Sequence, residues 1–133
     1  MVRGARYAYV GFAWAFLAGL VIQVFFAGLG LFGGSENFNS HVSLGWILHL
    51  APILIVGAGA LAREERRRFL VAVGLAVSVF IVPILVLLRD SAPAIAALHP
   101  VGALVSFWLA ILVARNATRL LSNRAPEAVT VAT

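Results

Sequence analysis

The chain has no cysteine, no lysine and a single methionine, Met1, in 133 residues. Without thiols there is no disulfide, no thiolate zinc site, no iron–sulfur cluster and no Cys-x-x-Cys-His attachment for c-type haem. The redox compartment is left open. Charge is equally scarce, at 11% of residues against 62% hydrophobic. A soluble domain carries about 25% charged residues, so this composition is that of a membrane protein. All ten basic residues are arginine, and the formal charge is +5. They punctuate apolar runs and form no stripe with interleaved aromatics, which excludes nucleic acid as a partner. There is no nucleophile beside a base, no carboxylate pair and no phosphate-binding loop. Ser43 and Ser78 read as ordinary helix serines. No hydrolytic or transferase site is visible, and at most the chain is a redox component.

What is present is four long apolar runs, at about 7–32, 40–62, 69–88 and 94–114. The first follows Arg3 and Arg6 but is about twice the length of a signal-peptide core. The stretch after it, Gly33-Gly34-Ser35-Glu36-Asn37, reads as a turn rather than a cleavage site. The second run stops at the charge block Arg63-Glu-Glu-Arg-Arg-Arg68. The third holds Pro83, which should kink it, and ends at Arg89-Asp90-Ser91. After the fourth come Arg115, Arg119, Arg124 and a polar tail, 125–133, which is expected to be disordered. Nine arginines fall at the N-terminus, the middle loop and the C-terminus, against Arg89 alone on the other side. Short cytoplasmic loops carry the excess of arginine, so both termini are expected in the cytoplasm. Loops this short predict one all-α domain, residues 1–124, an up-down-up-down four-helix bundle.

The chemistry lies in three histidines. An imidazole in hydrocarbon needs a hydrogen-bond partner or a metal, so an ionisable group inside a span marks a functional hypothesis. Depth follows from counting back to each histidine from the arginine that closes its span, Arg63 for the second and Arg115 for the fourth. By that count His49 and His99 differ in depth by roughly 3 Å. The two are expected to face each other from spans two and four. His41, two helical turns before His49, lies roughly 12 Å above it. Gln23 and Pro83 fall at the depth of the pair. His41, Gly45 and His49 share one helix face, and Gly45 offers either clearance for a flat macrocycle or close helix contact. Pro52 and Pro100 release backbone carbonyls that could fix imidazole tautomers. Alternatively Pro100 opens the fourth span, with His99 as its cap and the site at the mouth.

Two imidazoles without a carboxylate or thiolate do not make a closed zinc site, and copper(I) would favour sulfur. Haem iron needs only two axial imidazoles. The expectation is therefore one haem b between spans two and four in the outer half of the bilayer, with His49 and His99 as metal ligands. Gly45 would give clearance, Gln23 would support the ligands, Arg89 would meet the propionates, and His41 would lie further out. The alternative is a cofactor-free structural or assembly subunit whose histidines tie spans two and four together.

Asn39-Ser-His41, Gly45, Leu48-His49, Pro52 and Leu98-His99-Pro100 resemble the landmarks of an uncharacterised family of small bacterial four-span proteins, over roughly residues 16–114. More distantly the chain is similar to membrane b-type cytochromes. The first likeness implies a multi-pass protein of the bacterial cytoplasmic membrane. The second implies electron transfer or haem handling, with the lipid bilayer, a redox partner or quinone at the outer face, and homo- or hetero-oligomers as partners. Three histidines allow one bis-histidine haem and not the two of a transmembrane electron wire.

Overall fold

In the computed structural model, which describes residues 1–122, the chain is all helical. Six helices and one 3-10 turn follow in order: α1 (Val2–Phe32), the turn Ser35–Asn37, α2 (Phe38–Leu48), α3 (Ala51–Leu61), α4 (Arg66–Val86), α5 (Pro93–Ala96) and α6 (His99–Ser122). There is no strand among the described residues. Taking α2 with α3 and α5 with α6, four helical segments are long and apolar enough to cross a membrane. The protein is a multi-pass membrane helical bundle.

The helices differ from the expected runs at their ends. α1 starts at Val2, because Arg3 and Arg6 are good helix formers whose long stems keep their heads in water. α6 continues past Arg115 to Ser122, with Arg119 in its last turn, where a cation suits the C-terminal end of the helix dipole. The fourth run is interrupted: α5 is a single turn, and α6 begins at His99 with Pro100 in its first turn. The second run is broken at His49 and Leu50, since Pro52 has no N–H for the carbonyl of Leu48. Pro83, by contrast, sits inside an unbroken α4. Arg124 and the tail at 125–133 lie outside the described residues.

The break in the second run divides the bundle into two unlike halves. α3 packs against α1 and α4, and α6 closes the ring by packing on both α4 and α1. α2 leans on α1 and makes almost no backbone approach to α4 or α6. The core is accordingly concentrated in the half that contains α3. It is built from Tyr9, Ala13 and Phe16 of α1, Ile55 and Ala58 of α3, Ala72, Leu75 and Val79 of α4, and Ala110, Val113 and Ala117 of α6. The spacing of three and four residues puts each set on one helix face. Lipid is as apolar as leucine, so these helices associate through close packing of small residues and through interhelical hydrogen bonds, each worth about 0.6 kcal/mol. Two such bonds are Ser78 Oγ with Ser106 Oγ at 2.8 Å and Trp14 Nε1 donating to Thr118 Oγ1 at 3.0 Å.

The α3–α4 connection buries a carboxyl group. Arg63 N–H bonds Ala60 O and Glu64 N–H bonds Gly59 O, both at 3.1 Å. Bonds of this kind end helices through a left-handed residue. That residue is Arg63, the one non-glycine position with a positive φ among the described residues. A side chain in that conformation costs roughly 1–2 kcal/mol. The turn directs Glu64 inward, and its side chain has no solvent exposure. Its Oε2 and the nearby Tyr9 hydroxyl are buried without hydrogen-bond partners. Burial raises the Glu64 carboxyl above the ordinary carboxylate range, although the Glu65 N–H, Arg68 and Arg6 pull the other way. A carboxyl whose pKa is higher in the folded state contributes stability below the unfolded-state pKa and loses it as pH rises through the folded value. Glu64→Gln should therefore raise the thermal midpoint at neutral pH and flatten its fall with pH above the ordinary carboxylate range. Melts in detergent across that range check this, and an unchanged pH slope would refute it.

Candidate functional site

The histidines lie in the half of the bundle that contains α2, where packing is thin. The chain enters α2 through Gly34, whose φ is 112°. Glycine suits that backbone and few other residues do. Phe38, the first residue of α2, then settles over Gly30 of α1, where a Cβ would stand 2.6 Å from the Phe38 ring. One turn on, His41 and Gln23 are joined twice: Gln23 Nε2 donates to His41 O at 2.7 Å, and His41 Nδ1 meets Gln23 O at 3.1 Å. The Phe38 ring meets His41 edge-on, with centroids 6.3 Å apart. His41 is thus fixed to α1 through backbone and side chain together.

His99 is held from the other side. Its Nδ1 meets Val82 O of α4 at 3.0 Å. Gly102, on the same face of α6, lies so close to Val82 that a Cβ there would be 2.7 Å from Val82 Cγ2. This close approach of α6 to α4 sets the hydrogen bond. The ring that His99 faces is His41, at 6.4 Å between centroids and 69° between planes.

His49 belongs to a different neighbourhood. Its Nδ1 meets Gly45 O of its own helix at 2.6 Å, and its ring packs against Trp46 at 5.7 Å and Phe80 at 5.8 Å. The depth count pairs His49 with His99, and the structure puts His41 there instead. The count puts His41 roughly 12 Å above that level; it measures His99 from Arg115, but α6 runs on past Arg115 to Ser122, so that arginine does not close the fourth segment, and the break after Leu48 lets α2 lean toward α1.

The tautomers follow from these partners. A backbone carbonyl only accepts, so each of the three imidazoles presents Nδ1 as N–H. In the neutral form each keeps its lone pair on Nε2. This is the arrangement in which a metal-ligating histidine is oriented by a carbonyl behind it. The carbonyls are not those that Pro52 and Pro100 release, which belong to Leu48 and Ala96; they are Gln23 O, Gly45 O and Val82 O.

The supporting residues also differ in detail from expectation. Gly45 gives room to a neighbour, since its missing Cβ would lie 3.1 Å from Gln23 Nε2. That space holds an amide rather than a macrocycle. Gln23 Oε1 is buried with no hydrogen-bond partner, which leaves a free acceptor beside His41. Arg89 is exposed and pairs with Asp90 at 3.6 Å. An exposed ion pair of this kind has little energetic weight. Sequence reasoning missed Val82 and Phe80, because a carbonyl acceptor and an aromatic contact on an all-apolar helix leave no mark in composition.

Among the described residues no three or more His, Asp or Glu side chains come together as a metal cluster. A pair of imidazoles is the donor set that haem requires. Metal–nitrogen bonds of about 2.0–2.1 Å would put the centroids of two imidazoles on opposite sides of one metal roughly 6 Å apart, close to the 6.4 Å spacing of His41 and His99. The sparse approach of α2 to α4 and α6 leaves this half of the bundle the less tightly closed. The residues present therefore fit a bis-imidazole group in ligand chemistry and spacing.

The fold and the paired histidines define a small multi-pass membrane protein with two imidazoles meeting between its second and fourth apolar segments. The chain belongs to a family of unknown function (DUF6220), whose family model matches residues 23–89. The matched stretch takes in Gln23, His41, Gly45, His49 and Arg89 and stops before His99. No curated protein and no solved structure matches the chain, so any likeness to b-type cytochromes rests on the residues alone.

Gly102→Ala tests how His99 is held. The added methyl must push Val82 aside, and overpacking of this kind costs about 1–3 kcal/mol. The expected result is a lower thermal midpoint in detergent, partly restored by Val82→Ala in the same chain. No loss with Gly102→Ala would show that α4 and α6 are not in close register there.

Proposed function

We propose that this protein holds one haem b between His41 and His99 and serves in electron transfer or haem handling. The observation that carries the reading is the pair itself: two imidazole rings 6.4 Å apart on different segments, each with Nδ1 tied to a backbone carbonyl. Such a pair is oriented before any ligand arrives, and a group bound there gains two nitrogen donors at little cost in side-chain freedom. A haem with two imidazole ligands supplies one-electron chemistry without an open coordination position. In this reading Gln23 orients His41, Val82 O orients His99, and Arg89 is the cation available to carboxylates emerging at that end.

The proposed setting is the bacterial cytoplasmic membrane, with an up-down-up-down bundle, both termini in the cytoplasm and the paired histidines in the outer half. The support is the distribution of arginines, nine to one. Cysteine accessibility should label positions 35 and 91 from outside and position 67 from inside. Outside labelling of position 67 would reverse the orientation and move the site to the cytoplasmic half.

A second reading, a cofactor-free structural or assembly subunit, is favoured by one observation: each histidine already has a hydrogen-bond partner on the backbone. In that case the imidazoles are ties between helices and nothing more. Absorption spectra of protein purified from a haem-supplied host separate the two. The first reading expects a low-spin b-type spectrum that His41→Ala and His99→Ala each abolish and His49→Ala retains. A colourless wild type with normal stability supports the second. Loss of colour in His49→Ala with retention in His41→Ala would contradict the proposed ligands.

A further inference from the structure

At the end of the bundle where α1 begins, two buried polar atoms stand near each other without partners, Glu64 Oε2 and the Tyr9 hydroxyl. Gly59 of α3 brings them together. Its carbonyl accepts the Glu64 N–H at 3.1 Å, and a Cβ on it would stand 3.3 Å from Tyr9 Cζ, the carbon that bears the hydroxyl. We propose that Glu64 and Tyr9 form a proton-binding site that latches the α3–α4 turn. With a proton on Oε2 the carboxyl stays under the turn, and its O–H and the Tyr9 hydroxyl share one buried water. Once the proton leaves to solvent, the carboxylate swings out to Arg66 and Arg67 and the turn opens. This site is independent of the haem reading.

The choice of a proton follows from the groups around the carboxyl. Arg6 and Tyr9 face it from α1, and Glu65 and Arg68 from the turn and α4; α3 brings no titratable side chain, and Arg115 and Arg119 of α6 are exposed. Neither neighbouring cation neutralises it closely. Arg68 Nε lies 3.4 Å from Glu65 Oε2 while its Nη1 stays 4.0 Å from Glu64 Oε1, and Arg6 Nε turns to Ala62 O at 3.4 Å. Oε1 accepts the Glu65 N–H at 3.0 Å, so Oε2 is the oxygen left to carry the proton. Hard metal cations take about six or more oxygen ligands, and this site offers two. A buried carboxylate without a close partner is costly, whereas the neutral acid needs only its hydrogen bonds. Burial accordingly raises the Glu64 carboxyl above the ordinary carboxylate range, so the closed turn is favoured below that raised value and lost as pH rises through it.

The turn is built to open. Arg63 keeps its left-handed φ of 58° only while the N–H groups of Arg63 and Glu64 hold Ala60 O and Gly59 O, because sparsely populated backbone persists where its surroundings fix it. Arg66 and Arg67 are exposed and have no acidic partner among the described residues, which leaves them free to receive the carboxylate.

Hydrogen–deuterium exchange of the full chain in detergent tests the latch, with peptides spanning the turn compared at each pH between wild type and Glu64→Gln so that the intrinsic pH dependence cancels. The glutamine mimics the protonated acid. The wild type should match it at low pH and lose about tenfold protection at the Arg63 and Glu64 amides above the raised value. Infrared spectra over the same range should show a protonated carboxyl band that titrates with the same midpoint and is missing from Glu64→Gln. Tyr9→Phe removes the water's partner in the closed turn alone, so it should lower both midpoints by about one pH unit. Should Glu64→Gln not fold, the infrared titration of the wild type and its shift in Tyr9→Phe decide the matter. A carboxyl band that titrates in the ordinary range, equal protection of wild type and Glu64→Gln at every pH, or midpoints unmoved by Tyr9→Phe would overturn the site.

Discussion

In hydrocarbon a polar group has no water to turn to, and each must find its partner within the protein. For three imidazoles on apolar segments the partner is the same kind of atom, a backbone carbonyl that can only accept. That constraint fixes Nδ1 as the protonated nitrogen, turns each ring to a set direction and leaves Nε2 as its free position. The paired site at His41 and His99 and the lone acceptor at His49 are both consequences of it. What distinguishes them is the ring each faces: another imidazole for His41 and His99, the rings of Trp46 and Phe80 for His49.

The backbone arranges this by dividing labour between the two halves of the bundle. Small residues such as Ala13, Ala58, Ala72, Ala110 and Ala117 let four segments pack closely around Phe16 and Leu75. There the bundle has its buried core. Past the break at His49 and Leu50, α2 follows α1 and leaves α4 and α6. The opening gains specificity from a few polar ties instead of from a packed core: Gln23 with His41 and His99 with Val82. The imidazole pair is held by these ties and not by the core.

Much of this is legible in the sequence. Composition and the four apolar runs identify an all-helical membrane protein, and Gln23, His41, Gly45, His49 and His99 stand out as the unusual residues. Pro52 marks the place where the second run breaks. The alternative that Pro100 opens the fourth span, with His99 at its start, matches the observed beginning of α6. The pairing is not legible, because residue counting gives height only if each arginine marks the end of its helix, and α6 runs past Arg115 to Ser122, while the break near Pro52 changes which faces meet. Nor is the role of Gly45, since a missing side chain makes room for whatever is near, here the Gln23 amide. The inward turn of Glu64 is hidden within a run of charges whose ordinary fate is solvent, and it depends on a left-handed arginine that no pattern announces.

The central claim is that His41 and His99 share one metal centre. Electron paramagnetic resonance of the oxidised, detergent-purified protein, together with haem quantitation, addresses it most directly. The account predicts one haem per chain and a low-spin ferric signal of two imidazole ligands. A protein that binds no haem when haem is supplied, or one whose haem is high-spin with a single nitrogen ligand, would contradict it.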